Sequence, residues 1–413
     1  MASERWFLRA AKGRGVQQFI ATIYSPPPWL TRNGLSNLGS DTNSTTNLKP
    51  EAEGGFARYI TDILMHFRDN PDERERIEFD YVLPVNEPQW GWQQGQEGNR
   101  ASNDDLKRIY AALAKQLKLA GLKTKILGPE SGNIPDMYSY DAGAREKWDA
   151  DYGDYLHLIC DNPEVSAGFG GVISYHSYWS DRIPDQLMPD RERLRQAMTH
   201  YPRWKIWQSE YCIMESGRDL TMDTALRVAR VINYDLTLSN ATAWQWWLAV
   251  ANENFKSGLV YTDYQKPGDP ETILESKTLW VLGNYSRFIR PGMVRVEIHG
   301  SRPSDIHGLM TSAYFSPHDG QIVIVFVNLS RQPQWVKINI ANLGKEIGGS
   351  KAFTPYITSE RDNLRRGQAA DVAKGLELPP RSVVTLVSVA NSQSDVFQSL
   401  SNNHLPREHP AYE

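Results

Sequence analysis

The chain has 413 residues and a formal net charge of −4, a near-balance that gives no electrostatic reason to expect nucleic acid or an anionic membrane as a partner. That length exceeds one ordinary compact core and sets two domains as the expectation. Its two cysteines, Cys160 and Cys212, are too few for a disulfide scaffold or a zinc cluster and read as reduced structural thiols.

The composition includes 13 Trp and 19 Tyr. An indole stacks well on the apolar face of a sugar ring, so this leans toward carbohydrate and no further. The opening Met1-Ala2-Ser3-Glu4-Arg5-Trp6 has no apolar core or small-residue cleavage site, so it is not a signal peptide. No apolar run approaches the ~20 residues that span a bilayer, so membrane insertion is not expected.

Taken in chain order, a helix over Glu4–Lys12 precedes a series of short apolar runs. The strand candidates are Gln18–Tyr24, Phe79–Val85, Lys125–Gly128, Gly171–His176, Lys205–Ser209 and Ala241–Trp247. Amphipathic helices fall between them. One carries Phe56, Ile60, Ile63, Leu64 and Phe67 on one face; another carries Leu106, Ile109, Tyr110, Leu113 and Leu117. The second opens on Ser102 with Asp105 three residues on, a carboxylate form of the capping box, and Gly121 closes it. Strands alternating with helices predict an α/β barrel over residues 1–290. After Arg290-Pro291-Gly292 the helical period disappears. Val294–Ile298, Leu309–Phe315, Ile322–Val327, Trp335–Ile340, Ala352–Ile357 and Val383–Val389 read as strands, with Asp319-Gly320 as a hairpin turn. This predicts an all-β sandwich over 291–390 and a loose polar tail over 391–413.

Two strand candidates end in glutamate: Pro84-Val85-Asn86-Glu87-Pro88 and Trp207-Gln208-Ser209-Glu210-Tyr211. A lone Glu at a strand end is commonly a salt-bridge partner or a loop cap. Two on the same rim of one barrel point to chemistry, because barrel enzymes keep their sites at the carboxyl ends of the strands. Glycoside hydrolysis needs such a pair, one group handling the proton and the other meeting the anomeric carbon.

With these motifs the chain resembles glycoside hydrolase family 30, a family of (β/α)8 TIM-type barrels with an attached β-sandwich. Asn86-Glu87-Pro88 is similar to its acid/base motif and Ser209-Glu210 to its nucleophile motif. Ser25-Pro26-Pro27-Pro28-Trp29-Leu30 and His176-Ser177-Tyr178 resemble its motifs after strands three and six. The resemblance implies a retaining hydrolase of β-linked glycans, most similar to the endo-β-1,6-galactanase branch. The acid/base would be Glu87, with its pKa raised, and the nucleophile Glu210, kept ionised. Family 30 β-xylosidase, β-glucosidase or xylanase activity stays open, as does a non-catalytic carbohydrate-binding protein.

The remaining site residues keep two readings. Asn86 donates to a sugar 2-hydroxyl or caps a loop. Trp29 borders the sugar or plugs the rim. His176 belongs to the site or is a satisfied buried histidine, and Tyr178 touches Glu210. Trp244 and Trp246 share one face and Trp247 takes the other, because strand residues alternate; Trp246 is taken as the substrate contact. Glu130, after the Lys125–Gly128 strand, is expected to line the cleft. An oligo- or polysaccharide is the expected partner. No metal or organic cofactor is expected, since no ligand cluster is visible.

If the visible barrel strands are three to eight, strands one and two are missing. The expectation is then an N-terminally truncated chain, poorly soluble or inactive alone, and secreted or periplasmic in its full-length form.

Overall fold

The structure is a computed structural model that describes residues 2–93, 95–181, 187–263, 272–300, 305–340 and 352–389. It divides into two compact units: Met1–Arg218 with Val231–Ile273, and Asp219–Arg230 with Leu274–Glu413. Helix Lys277–Ser286, placed with the barrel by the sequence pattern, therefore belongs to the second unit. The tail expected over 391–413 lies outside the described residues.

The first unit opens with α1 (Ala2–Gly13), then β1 (Ile20–Thr22), α2 (Glu53–Arg68), β2 (Tyr81–Leu83) and α3 (Asn103–Leu119). β3 (Lys125–Ile126) and β4 (Pro129–Ser131) follow; then α4 (Ala142–Trp148), α5 (Tyr155–Cys160) and α6 (Pro163–Ser166). β5 (Val172–His176), α7 (Leu187–Met198) and β6 (Lys205–Glu210) continue the alternation, and α8 (Met222–Thr237) follows, its residues up to Arg230 counted with the second unit and those from Val231 with the first.

The strands run parallel in chain order. β1 pairs with β2, β2 with β3, β4 with β5, and β5 with β6. β3 covers the first half of the predicted strand Lys125–Gly128, and β4 begins just past its end at Pro129, which supplies no amide for the ladder. The predicted strand over Ala241–Trp247 is reduced to a parallel bridge between Gln208 and Trp244, held by the Gln208 amide on the Ala243 carbonyl and the Gln245 amide on the Gln208 carbonyl. This parallel wall with helices outside it is a barrel of the TIM type.

The helices form where their apolar stripes meet the wall. Phe56, Ile60 and Leu64 of α2 and Leu106, Ile109, Leu113 and Leu117 of α3 join Val82, Ile126, Ile173 and Ile206 in one buried core. Each fully buried aliphatic side chain contributes about 1.5–3 kcal/mol. The predicted capping box is present: Ser102 accepts from the Asp105 amide while Asp105 accepts from the Ser102 amide. Gly121, with φ +62°, ends α3 in the left-handed region. Cys160 and Cys212 are both free thiols, and burial pushes each up to about 12.

Chain order continues with β7 (Val250–Ala251), β8 (Val260–Thr262), β9 (Ile273–Glu275) and α9 (Lys277–Ser286). The strands of the second unit are β10 (Val294–Val296), β11 (Leu309–Phe315), β12 (Ile322–Asn328), β13 (Gln334–Val336), β14 (Ala352–Thr358), β15 (Arg365–Arg366), β16 (Ala370–Asp371), β17 (Leu376–Leu378) and β18 (Ser382–Ser388). One antiparallel sheet runs β10-β11-β12-β18-β14-β15; β13 and β17 form another. Ile322, Ile324, Phe326, Phe353, Val384 and Leu386 from the first meet Leu378 and Val336 from the second, which makes the core of a sandwich. The Asp319-Gly320 turn joins β11 to β12 as predicted, with Gly320 at φ +74° and Phe315 opposite Ile322.

Candidate active site

The carboxyl ends of β2, β4, β5 and β6 share one rim, and their side chains converge on His176. This residue ends β5 in register with Glu210, which ends β6. Glu87 follows β2 by a short turn, and its amide donates to the Glu130 carbonyl at 2.9 Å. Both acids sit in the left-handed region, Glu87 at φ +43° and Glu130 at φ +57°, which non-glycine residues adopt at a cost. The Trp92 indole holds the Glu87 turn by donating to the Glu87 carbonyl at 2.9 Å.

His176 is fully buried. Its Nδ1 lies 2.9 Å from Glu87 Oε1 and 3.9 Å from Glu210 Oε1, and its Nε2 lies 3.1 Å from Glu130 Oε2. The Tyr178 hydroxyl donates to Glu210 Oε1 at 2.9 Å, and the Ser209 hydroxyl to Glu130 Oε1 at 2.7 Å. One oxygen each of Glu87 and Glu210 and one nitrogen of His176 lie within 4.8 Å of one another.

Burial works against charge on His176. Glu210, with Glu130 and Glu87 hydrogen-bonded to the ring, nevertheless holds the imidazole well above its usual range. Burial also raises the Glu210 carboxyl, while His176 and the Tyr178 hydrogen bond pull it back down. The nucleophile expected to stay ionised therefore depends on those two neighbours. Burial, then Glu210, Glu130 and Glu87, raise the Tyr24 hydroxyl far above its usual value. Tyr24 follows β1 on the same rim and meets the Trp247 ring edge-on, 6.1 Å between centroids.

Behind the rim, Asp235 of α8 is fully buried. It accepts from Arg191 Nε at 2.7 Å, Ser177 at 2.8 Å, Trp244 Nε1 at 2.9 Å and Tyr175 at 3.1 Å. Arg191 also donates to Ser180 at 3.0 Å. This buried ion pair fixes the segment that carries His176 and Tyr178.

The structure brings Glu87, Glu210, His176 and Tyr178 together. Two other expectations change, those for Glu130 and for the ligand cluster. Glu130 does not line the cleft: it is buried, with both oxygens engaged by His176 and Ser209. Trp246 stacks on Trp244 and donates its indole N–H to the Ser257 carbonyl; Trp247, on the opposite face, is the indole beside Tyr24. Trp29 is 65% exposed and its ring contact is with Tyr59 of α2. The ligand cluster that the sequence did not reveal is the trio Glu87, His176 and Glu210, whose donor atoms are close enough to hold a cation. Asn86 is buried, with no donor to its Oδ1 among the described residues. Tyr24, Trp247, Asp235 and Arg191 were not picked out by sequence reasoning. Tyr24 had a signal, its place at the carboxyl end of a predicted strand.

A barrel whose rim gathers two facing glutamates, with a sandwich after it, defines a class of sugar-cleaving proteins, and comparison with known families agrees. Residues 1–261 match the model of O-Glycosyl hydrolase family 30, and residues 292–386 match the glycosyl hydrolase family 30 beta sandwich domain. The chain belongs to glycoside hydrolase family 30. A conserved exported protein from Bacteroides fragilis has a similar structure, with a TM-score of 0.81 and 30% identity over 94% of this chain and 79% of that one. The catalytic domain of xylanase C from Talaromyces cellulolyticus shares the fold, with a TM-score of 0.65 and 20% identity over 93% of this chain and 79% of that one. Lysosomal acid glucosylceramidase of Mus musculus is 25% identical over 203 residues, 46% of this chain and 36% of that protein's length. No helix among the described residues is long and apolar enough to cross a membrane.

Proposed function

We propose that this chain is a retaining O-glycosyl hydrolase of β-linked glycans, with Glu210 as nucleophile and Glu87 as acid/base. The observation that carries the reading is the approach of the two carboxylates to within 4.8 Å on one rim. Retaining glycosidases hold their pair about 5–5.5 Å apart, and inverting enzymes need a wider gap for water.

In the first step a Glu210 oxygen attacks the anomeric carbon while Glu87 transfers its proton to the departing glycosidic oxygen. This leaves a glycosyl ester on Glu210 and a carboxylate at Glu87. In the second step Glu87 takes a proton from water, whose oxygen attacks the same carbon and releases Glu210. Tyr178 and His176 orient Glu210 and stabilise its charge. Asn86 is assigned to the sugar 2-hydroxyl. Tyr24 and Trp247 supply the wall against which the ring lies.

The finer reading is endo action on β-1,6-linked galactan, supported by the motif resemblance to that branch. The likeness to an exported bacterial protein supports a secreted or periplasmic location. The test is release of reducing sugar from β-1,6-galactan, with xylan, β-1,6-glucan and a glucosyl lipid alongside. Release from galactan with retained anomeric configuration supports the whole reading. Release from another of these substrates alone removes the galactan assignment. An inverted product, or no release from any, overturns the retaining mechanism or the hydrolase reading.

A further inference from the structure

One tryptophan on the rim stands where a glycine would be expected. Ser177, Tyr178, Trp179 and Ser180 form a tight turn after β5, with the Ser180 amide on the Ser177 carbonyl at 3.4 Å. The third residue of the turn, Trp179, has φ +65°. Glycine or asparagine normally fills such a place, and a bulky side chain enters it only under strain. We propose that Trp179 is a specificity-determining residue whose indole is the platform for the sugar that departs in the first step. The chain then recognises a sugar on the leaving side of the bond as well as the ring under attack. The proposal rests on the roles given above to Glu87 and Glu210 and deepens them.

The turn is pinned at both ends. The Ser180 hydroxyl donates to the Ser177 carbonyl at 2.6 Å, and the Ser177 hydroxyl donates to Asp235 at 2.8 Å. Arg191 donates to the Ser180 hydroxyl at 3.0 Å, and both Arg191 and Asp235 are fully buried. Strained residues persist where the surroundings over-determine them, and they gather at functional sites. Glu87, Trp92 and Glu130 share the rim and also have positive φ. Those three are buried, whereas Trp179 is 37% exposed. A large ring is thus held in a strained backbone and presented to solvent.

The ring continues a ladder that starts at the reacting groups. His176 meets Tyr178 at 5.7 Å between centroids, and Tyr178 meets Trp179 at 6.3 Å. Exposure rises along the ladder, from 0% through 6% to 37%. The Tyr178 hydroxyl lies on Glu210, so Trp179 is one ring further out from the nucleophile. An indole offers a flat apolar face with little rotational freedom to lose, which suits the C–H face of a pyranose.

The strand order says which sugar this is. Round the rim the order is β1, β2, β3 with β4, β5, β6 and then the Trp244 bridge. Its two ends meet where Tyr24 touches Trp247. β5 lies in the middle of the order, across the rim from that contact. With the attacked ring against Tyr24 and Trp247, the glycosidic oxygen lies at Glu87 and the departing sugar continues toward the β5 side. There Glu130 is buried, and Trp179 is the exposed indole.

The test compares two substrates on the full chain, β-1,6-galactotetraose and β-1,6-galactobiosyl fluoride, or the equivalent xylose or glucose pair if that polymer is the one hydrolysed. Fluoride departs without a proton from Glu87 and without a sugar, so only the tetraose reaches Trp179. Trp179→Gly suits the positive φ of the turn, and its thermal melt is expected no lower than that of wild type. Its kcat/KM for the tetraose falls by at least about 10-fold, while that for the fluoride stays within about 2-fold. Trp179→Tyr, which keeps an aromatic face, restores most of the tetraose rate. The ratio of the two rates does not depend on how much enzyme is folded. An equal fall on both substrates, or an unchanged tetraose rate in Trp179→Gly, overturns the proposal. The underlying reading fails separately: Glu210→Ala that still hydrolyses the fluoride at the wild-type rate would remove the nucleophile, whatever the Trp179 variants do.

Discussion

Tyr178 donates its hydroxyl to the Glu210 carboxylate at 2.9 Å from a ring that is itself buried. The bond favours the ionised form of Glu210 and opposes the burial that raises its carboxyl. Replacing Tyr178 by Phe removes the donor and leaves the burial. The Glu210 carboxyl then rises further, so the acidic limb of the kcat/KM profile moves to higher pH. A hydrogen bond to a charged group contributes about 1.5–3 kcal/mol, which corresponds to a shift of about one pH unit or more. A pH–rate profile of the Phe variant checks this; an unmoved acidic limb denies Tyr178 the role.

Gly132 sits where a side chain does not fit. A Cβ there would lie 2.4 Å from Trp90 Nε1 and 3.1 Å from Glu87 Oε1. Gly132→Ala pushes Trp90 and the Glu87 carboxyl aside. Misplacing a reacting group by about 1 Å costs up to about 100-fold, so kcat/KM is expected to fall 10- to 100-fold. Steady-state kinetics beside a thermal melt separates this from unfolding.

Arg191 and Asp235 form an ion pair with both side chains fully buried, 2.7 Å apart. Removing one partner strands a buried charge, so Arg191→Ala is expected to lose about 3–5 kcal/mol of stability. Urea unfolding measures this. A loss under about 1 kcal/mol would show that Asp235 is held by its other donors alone.

Burial raises the Asp136 carboxyl from 3.8 to about 7, with Asp141 adding to the rise and the Asn133 hydrogen bond opposing it. Between those values the folded chain holds a proton that the unfolded chain has released. Stability therefore falls as pH rises from about 4 to about 7, by at most about 4 kcal/mol. Asp136→Asn removes that dependence and is expected to melt higher than wild type at pH 8. Parallel melting curves across the pH range would contradict the assignment.

Much of the site was legible because its acids end strands. Glu87 and Glu210 could be found from the β-runs before them, and His176 and Tyr178 from a family motif. Glu130 was visible as a rim residue. Its direction was not, because it depends on the register that sets Pro129 against Ser174 and Ser131 against Tyr175. Alternation correctly put Trp244 and Trp246 on one face. It did not say which face turns inward, since each carries an indole. Asp235 and Arg191 are 44 positions apart on different helices, and only the fold brings them together. The sandwich read well because its longer strands are short apolar runs set between turns, and Asp319-Gly320 marks its hairpin.

The roles of Glu210 and Glu87 are tested most directly by replacing each with Ala and adding azide. The account predicts that both variants lose hydrolysis by several orders of magnitude. Azide then rescues Glu210→Ala to a glycosyl azide of inverted configuration, and Glu87→Ala to one of retained configuration on an activated substrate. Near-normal hydrolysis by either variant without azide, or azide products of the opposite configurations, would contradict it.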